Sequence, residues 1–248
     1  MINRQETREQ KEKSFWETDV HHRPGADPIE NIVNKFREIP IFFTKLRQYS
    51  CYFQSAGRIL ELGAGQGWAS CLVKKVFPDK PVIATDIAAA AVASTRLWES
   101  MLDVTLDGTA ACRSYETPFP DGSFDLLFTF QAAHHFGRHR ATLKEIHRLL
   151  SPGGVALYLS EPGCRGFIHP LAFKRVNKKR PVVDEDVLVY RKIQKMGAEI
   201  GLDVEVRFDT HLEGRGPIET LYYYVLGKVR FLRDVLPCTV DLIIRKEL

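Results

Sequence analysis

The sequence predicts an α/β fold, doubly wound about a mostly parallel sheet. Three observations carry that prediction. Short apolar runs alternate with helix-patterned segments through the first two thirds of the chain. One run, Phe124 to Phe130, is nearly all apolar, as expected of a strand covered on both faces. And Ile59-Leu60-Glu61-Leu62 leads through Gly63, Gly65 and Gly67 into helix-forming residues at Trp68. A strand that enters a glycine turn and then a helix gathers backbone N–H groups at the helix start. Glycine permits positive φ there and lets a ligand come close to the main chain.

The elements follow in order. A polar, charged leader holds the cluster Phe15, Trp16 and Val20. Asp27-Pro28-Ile29-Glu30 reads as a helix start, with an acid cap, proline in the first turn and a second acid three residues on. Ile29, Ile32, Val33 and Phe36 recur at helical spacing; Pro40 interrupts, and Phe43, Leu46 and Tyr49 continue the apolar face. Residues 1–50 are therefore expected to form an N-terminal helical cap or lid, ahead of a main domain over 51–248.

Within that domain, a helix is expected from Trp68 to Phe77, stopped by Pro78. Pro81 to Thr85 is a strand with Asp86 at its carboxyl end, and Ala88 to Met101 a single helix. A weak strand over Thr109 to Cys112 precedes Phe124 to Phe130. Arg140 to Leu150 is an amphipathic helix, followed by the turn Ser151-Pro152-Gly153-Gly154 and a strand from Val155 to Leu159. Gly163 to Pro181 reads as a loop, Asp184 to Ile200 as a helix, and Val204 to Phe208 as a strand. Pro217 to Leu236 reads as a helix and Cys238 to Arg245 as the final strand. The segments near 163–181 and 211–236 are expected as insertions on the substrate side.

Composition narrows the function classes. The chain has 248 residues, 44% of them hydrophobic, which suits a single α/β domain with a cap. A net charge of +4 is too small to argue for nucleic acid by itself. Five dispersed cysteines show neither C-x-x-C nor a His/Cys metal spacing, so reduced thiols, a cytoplasmic location and no metal site are expected. The charged start does not resemble a signal peptide, and no apolar stretch approaches the ~20 residues of a membrane span. Oligomeric state is not legible.

The glycines read G-x-G-x-G with Glu61 just before them. A dinucleotide fingerprint would need a glycine at position 68, where Trp68 stands, which argues against an NAD-dependent oxidoreductase. The pattern resembles motif I of the class I S-adenosylmethionine-dependent methyltransferases, E/D-x-G-x-G-x-G. Thr117 to Asp125 (T-P-F-P-D-G-S-F-D) and the segment L-S-P-G-G at 150–154 resemble later segments of the same family, in the right order. The resemblance covers roughly Gly57 to Leu159. It implies a Rossmann-like, seven-stranded sheet with an antiparallel last strand, and S-adenosylmethionine as cofactor. It also implies methyl transfer to a small-molecule acceptor, read here as O-methylation of a sugar, lipid-linked glycan or metabolite. An RNA or protein methyltransferase and a non-catalytic S-adenosylmethionine-binding protein are the alternatives.

Transferred position by position, the resemblance implies a cofactor site of Glu61, Gly63, Ala64, Gly65, Gly67, Asp86, Ile87, Ser114, Tyr115, Glu116 and Gln131. Asp86 can accept two hydrogen bonds from ribose hydroxyls, or cap the following helix. Family members carry an acid that pairs with the adenine amine; here Arg113 stands in that place and cannot accept. Adenine is then left to the backbone near Ser114 and Tyr115, or to Glu116. His134 and His135, after the apolar strand, are the candidate general bases, since that sheet edge is where ligands bind. Asp125 is expected to orient its strand, and Glu161 to be a surface acid, with a place in the active site as the alternative. His21, His22 and Arg23, with Trp16, are candidates for closing over the cofactor. The basic run Lys174 to Arg180 reads as a solvated loop or an anion contact, and one or two of Tyr222, Tyr223 and Tyr224 are expected to line the substrate pocket.

Overall fold

The computed structural model describes residues 4–18, 28–179 and 185–247. Three helices come first: α1 (Arg4–Thr18), α2 (Pro28–Gln48) and α3 (Ser50–Ser55). Strand β1 (Ile59–Leu62) leads to α4 (Trp68–Val76), and β2 (Val82–Asp86) to α5 (Ala89–Ala93) and α6 (Thr95–Leu102). Then come β3 (Gly108–Ala111), β4 (Phe124–Phe130), α7 (His139–Leu149) and β5 (Leu150–Cys164). The last third holds α8 (His169–Val176), β6 (Leu188–Val189), α9 (Tyr190–Ala198), β7 (Leu202–Asp209), α10 (Pro217–Lys228), α11 (Arg230–Arg233) and β8 (Cys238–Lys246).

The strands form one sheet in the order β3-β2-β1-β4-β5-β8-β7, with the two-residue β6 added beside β5. β1 to β5 pair in parallel, and β8 runs antiparallel to both β5 and β7. This is the expected doubly wound sheet with an antiparallel last strand. Alternation along the strands separates two cores. Ile59, Leu126, Phe128, Leu157 and Ile243 face one side, with Phe42, Phe53 and Trp68. Leu60, Leu127, Ala156, Tyr158 and Leu242 face the other, with Leu143, Ile146 and Tyr190. Each such Leu, Ile or Phe contributes about 1.5–3 kcal/mol by burial. Among the described residues, no helix is long and apolar enough to cross a membrane.

Several expectations are corrected. α2 runs through Pro40 without stopping, and the apolar face assigned to it is only half used. Leu46 and Tyr49 are buried with Phe42, whereas Ile29 (77% exposed), Val33, Phe36 and Phe43 face outward. The reason is tertiary: the second half of the helix packs on the sheet, where Phe42 meets Trp68, Phe128 and Phe130. The alanine-rich helix divides at Ser94, where the N–H bonds back to Ala91 in a tighter turn. The segment read as a loop after Gly163 contains α8, with Pro170 in its first turn. α9 starts only at Tyr190, after β6, and the last long helix breaks at Val229 into α10 and α11.

One irregularity positions the site. Pairing of β5 with β8 slips between Tyr158 and Glu161, and Ser160 adopts φ 57°. The Ser160 N–H donates to Asp241 Oδ1 at 2.8 Å. Asp241 is held in turn by Lys45 Nζ at 2.5 Å and the Tyr49 hydroxyl at 2.8 Å, tying α2 to β8. Such a bulge re-aims the next side chain, which here is Glu161.

Candidate cofactor and acceptor site

A cavity of about 330 Å³ opens at the carboxyl edge of β1, β2, β3 and β4. It is bounded by the loops after those strands and, on the outer side, by Arg8, Glu9, Glu12, Phe15 and Trp16 of α1. Its size and position are those of a small-ligand site at the edge of an open α/β sheet.

The glycine loop is built for its backbone. Gly63, Gly65 and Gly67 have φ of 71°, 53° and 75°. A Cβ at Gly63 would stand 3.0 Å from Ala132 Cβ and 3.1 Å from Phe136, and one at Gly67 only 2.5 Å from Thr95 Oγ1. Gly63, Ala64 and Gly65 border the cavity; Gly67 does not, and serves the loop's shape. Glu61, fully buried, accepts the Ser70 hydroxyl at 2.5 Å, and burial pushes its carboxyl up to about 8 despite that bond.

Asp86 Oδ2 accepts the Gly65 N–H at 2.8 Å and Oδ1 the Ala88 N–H at 2.9 Å. It thus clamps the glycine loop to β2, whereas α5 is entered through Ala88 with no side-chain cap. Burial raises the Asp86 carboxyl to about 6, against those two N–H bonds. Asp86 and Ile87 both line the cavity.

Beyond β3, Arg113, Ser114 and Tyr115 line the cavity, but Glu116 turns outward and pairs with Arg113 at 3.1 Å. The carboxylate in this region comes instead from α1. Glu9 accepts from Arg113 Nε at 2.9 Å and from the Tyr115 hydroxyl at 2.5 Å. Trp16 of α1 covers the glycine loop, with its ring 3.1 Å from where a Gly65 Cβ would lie. His21, His22 and Arg23 lie outside the described residues, as does Arg180 of the basic run; Lys174, Arg175 and Lys178 are exposed. Tyr222 and Tyr223 spend their hydroxyls on Pro237 O and Thr239, Tyr224 is half-exposed, and none of the three lines this cavity.

After β4, Gln131 (φ 51°) borders the cavity, and His134 and His135 sit in a single 3-10 turn. Glu161 lies beneath that turn and is wholly buried, not a surface acid. Its Oε1 accepts the N–H groups of Ala132 and Ala133 at 2.9 Å each, and its Oε2 the His134 N–H at 3.1 Å. His134 Nδ1 lies 2.8 Å from Oε2, which leaves Nε2 facing Glu185 at 3.0 Å. Burial alone would push the His134 imidazole down. The bonds to Glu161 and Glu185, and their charges, outweigh burial and raise it to about 9. His135 borders the cavity, with Nδ1 2.8 Å from Glu12 and Nε2 3.5 Å from Glu185, while His134 stands behind it. Asp125 orients its strand as expected, accepting from the N–H groups of Gly57 and Arg58 and from Ser151 Oγ.

Sequence reasoning missed Glu9, Glu12 and Glu185 as parts of this site, and preferred a surface position for Glu161. Only Glu161 left a signal, an acid directly after a buried strand at the ligand-binding edge. The other three arrive from α1 and from the start of the 185–189 segment, whose positions no local pattern reveals.

A parallel sheet with an antiparallel last strand, a positive-φ glycine loop after β1 and an acid ending β2 defines the class I S-adenosylmethionine-dependent methyltransferase fold. Residues 60–158 match the methyltransferase domain family, so that stretch of the chain carries a methyltransferase domain. It is 29% identical over 123 residues to a demethylmenaquinone methyltransferase of Thermus thermophilus, covering 48% of this chain and 56% of that protein. It is 31% identical over 159 residues to a dimethylglycine N-methyltransferase of Parasynechococcus marenigrum, covering 60% and 52%. The chain thus spans about half the length of these curated relatives. The crystal structure of geranyl diphosphate C-methyltransferase from Streptomyces coelicolor, at 13% identity, superposes with a TM-score of 0.70 over 96% of this chain and 98% of that one.

Proposed function

We propose that this chain transfers a methyl group from S-adenosylmethionine to a hydroxyl oxygen of a small molecule, such as a sugar, a lipid-linked glycan or a metabolite. One observation carries the reading. The Gly63–Gly65 main chain and the Asp86 carboxylate border the same cavity that His135 and Glu185 enter. A cofactor site and a proton-handling cluster therefore share one small chamber. The relatives named above act on small molecules by their names, which supports the acceptor class.

The residues present fit the cofactor. Positive-φ glycines keep side chains out of the loop, so its backbone can approach a ligand. Asp86 retains acceptor capacity for two ribose hydroxyls beyond the N–H groups it already serves. Ser114 and Tyr115 offer main chain to the adenine, and Glu9 supplies the carboxylate that Glu116 does not. When bound, S-adenosylmethionine supplies a methyl group activated on a sulfonium.

The chain's own work is alignment and proton handling. The N-terminal segment acts as a lid through α1, with Trp16 covering the glycine loop and shielding the chamber from water. His134, held by Glu161, orients Glu185, and His135 presents its ring to the cavity. The acceptor hydroxyl lies against this cluster, which eases loss of its proton as the oxygen attacks.

The test is transfer of labelled methyl from S-adenosylmethionine to an extract separated into small-molecule, lipid, RNA and protein fractions. Label in the small-molecule or lipid fraction is expected. Label confined to RNA or protein overturns the acceptor assignment, and binding without any transfer overturns catalysis.

A further inference from the structure

The cluster at the end of β4 has the geometry of a ligand set. His134 Nε2 lies 3.0 Å and His135 Nε2 3.5 Å from the same oxygen, Glu185 Oε2. One nitrogen of each ring and one Glu185 carboxylate oxygen all fall within 4.8 Å of one another. Around a four-coordinate ion with bonds of about 2.0–2.2 Å, neighbouring ligand atoms stand roughly 3.3–3.6 Å apart. The observed spacing therefore needs only small side-chain adjustments.

Behind each imidazole stands another carboxylate. Glu161 lies 2.8 Å from His134 Nδ1, and Glu12 lies 2.8 Å from His135 Nδ1. A carboxylate at one ring nitrogen fixes which nitrogen faces a metal and raises its basicity. The His135–Glu12 approach is not aligned as a hydrogen bond, and both atoms are buried without a hydrogen-bonding partner. Three carboxylates thus surround two imidazoles. Arg8, on the same side, is engaged by Asp186 at 3.9 Å and by the His134 carbonyl at 3.1 Å.

From this geometry we infer that His134 Nε2, His135 Nε2 and Glu185 form a site for a divalent transition-metal cation, open toward the cavity. A cation there takes the place of the proton shared between His134 and Glu185. Two imidazoles and one carboxylate suit Zn²⁺, Co²⁺, Ni²⁺ or Fe²⁺ over Mg²⁺ and Ca²⁺, which favour all-oxygen sets. His135 and Glu185 border the cavity, so the remaining coordination positions face it. The role of the ion, though not its binding, rests on the proposed methyl transfer. An acceptor hydroxyl bound there loses its proton to water more readily and stays on the cation as the attacking oxygen.

The full chain, stripped with a chelator, is titrated with Co²⁺ and then Zn²⁺, and separately with S-adenosylhomocysteine. One equivalent of Co²⁺ should bind with visible d–d absorption and be displaced by Zn²⁺. Glu12→Gln should weaken Co²⁺ binding about 10–100-fold. His135→Asn and Glu185→Gln should abolish the absorption, with metal-free melting temperatures used to confirm folding. No Co²⁺ or Zn²⁺ uptake by a chain that binds S-adenosylhomocysteine overturns the metal site and leaves the methyltransferase reading standing. Equal uptake by the parent and a folded His135→Asn/Glu185→Gln double variant also overturns it. Metal uptake lost in that variant, in a chain that does not bind S-adenosylhomocysteine, upholds the site and overturns the methyltransferase reading.

Discussion

Glu161 holds His134 at two points with one oxygen: Oε2 accepts the His134 backbone N–H at 3.1 Å and lies 2.8 Å from its ring Nδ1. One buried carboxylate therefore sets both the turn and the ring that leaves it. The bulge at Ser160, pinned by Asp241, is what aims that carboxylate inward.

Glu161→Gln should destabilise the chain by roughly 1.5–3 kcal/mol, because an amide N–H₂ would face donors that now share a carboxylate. Urea unfolding of the two proteins measures this. An unchanged midpoint would mean that the 3-10 turn holds itself without Glu161.

The Asp86 carboxyl, raised to about 6 by burial, must be ionised to accept ribose hydroxyls well. Affinity for S-adenosylhomocysteine should therefore be full above about pH 7 and fall as pH drops through 6. Asp86→Asn should lose about 1.5–3 kcal/mol of binding at neutral pH and flatten the acid limb. Calorimetry across this range decides it. An acid limb that persists in the Asn variant would belong to another group.

Glu61 provides a stability test. Its folded carboxyl is raised to about 8 from an ordinary value of 4.5, chiefly by burial. Between those values the folded chain binds the proton and the unfolded chain does not, so stability falls as pH rises through this window. Glu61→Gln, which keeps an acceptor for Ser70, should remove that part of the decline. Melting temperatures from about pH 5 to 9 would then converge at the acid end and separate, with the variant higher, at the alkaline end. Parallel curves would rule Glu61 out as the source.

Gly67→Ala should cost roughly 1–3 kcal/mol from its positive φ, with the contact against Thr95 adding to it. Thr95→Ala removes the two closest atoms, so the double variant should recover the contact share but not the backbone share. A single Ala variant as stable as the parent in denaturant would show that the loop can re-form without glycine here.

Much of the site was legible because it is local. A strand, three alternate glycines and an acid ending the next strand are each written within a few residues. Backbone conformation and short-range hydrophobic pattern decide such features. Glu161 was read as a surface acid because no local pattern announces the bulge at Ser160. That bulge depends on Asp241, 81 residues further along the chain. Glu116 was a reasonable substitute for the missing adenine acid by position, but Arg113 draws it outward and Glu9 enters from α1. The exposed half of α2 shows the same limit, since spacing marks an apolar stripe and not what it packs against.

By itself, the sequence determined the parallel sheet, its antiparallel final strand, the glycine loop and the position of Asp86. The sheet follows from hydrophobic periodicity and the loop from conformations that only glycine adopts cheaply, whereas the antiparallel direction of the last strand is what the family resemblance implies. The tertiary structure alone decided which carboxylates meet the two histidines. Glu12, Glu161 and Glu185 reach them from a helix, a bulged strand and a distant segment. Burying charges together is favourable only where several such elements close on one point, and that convergence is a property of packing, not of spacing along the chain.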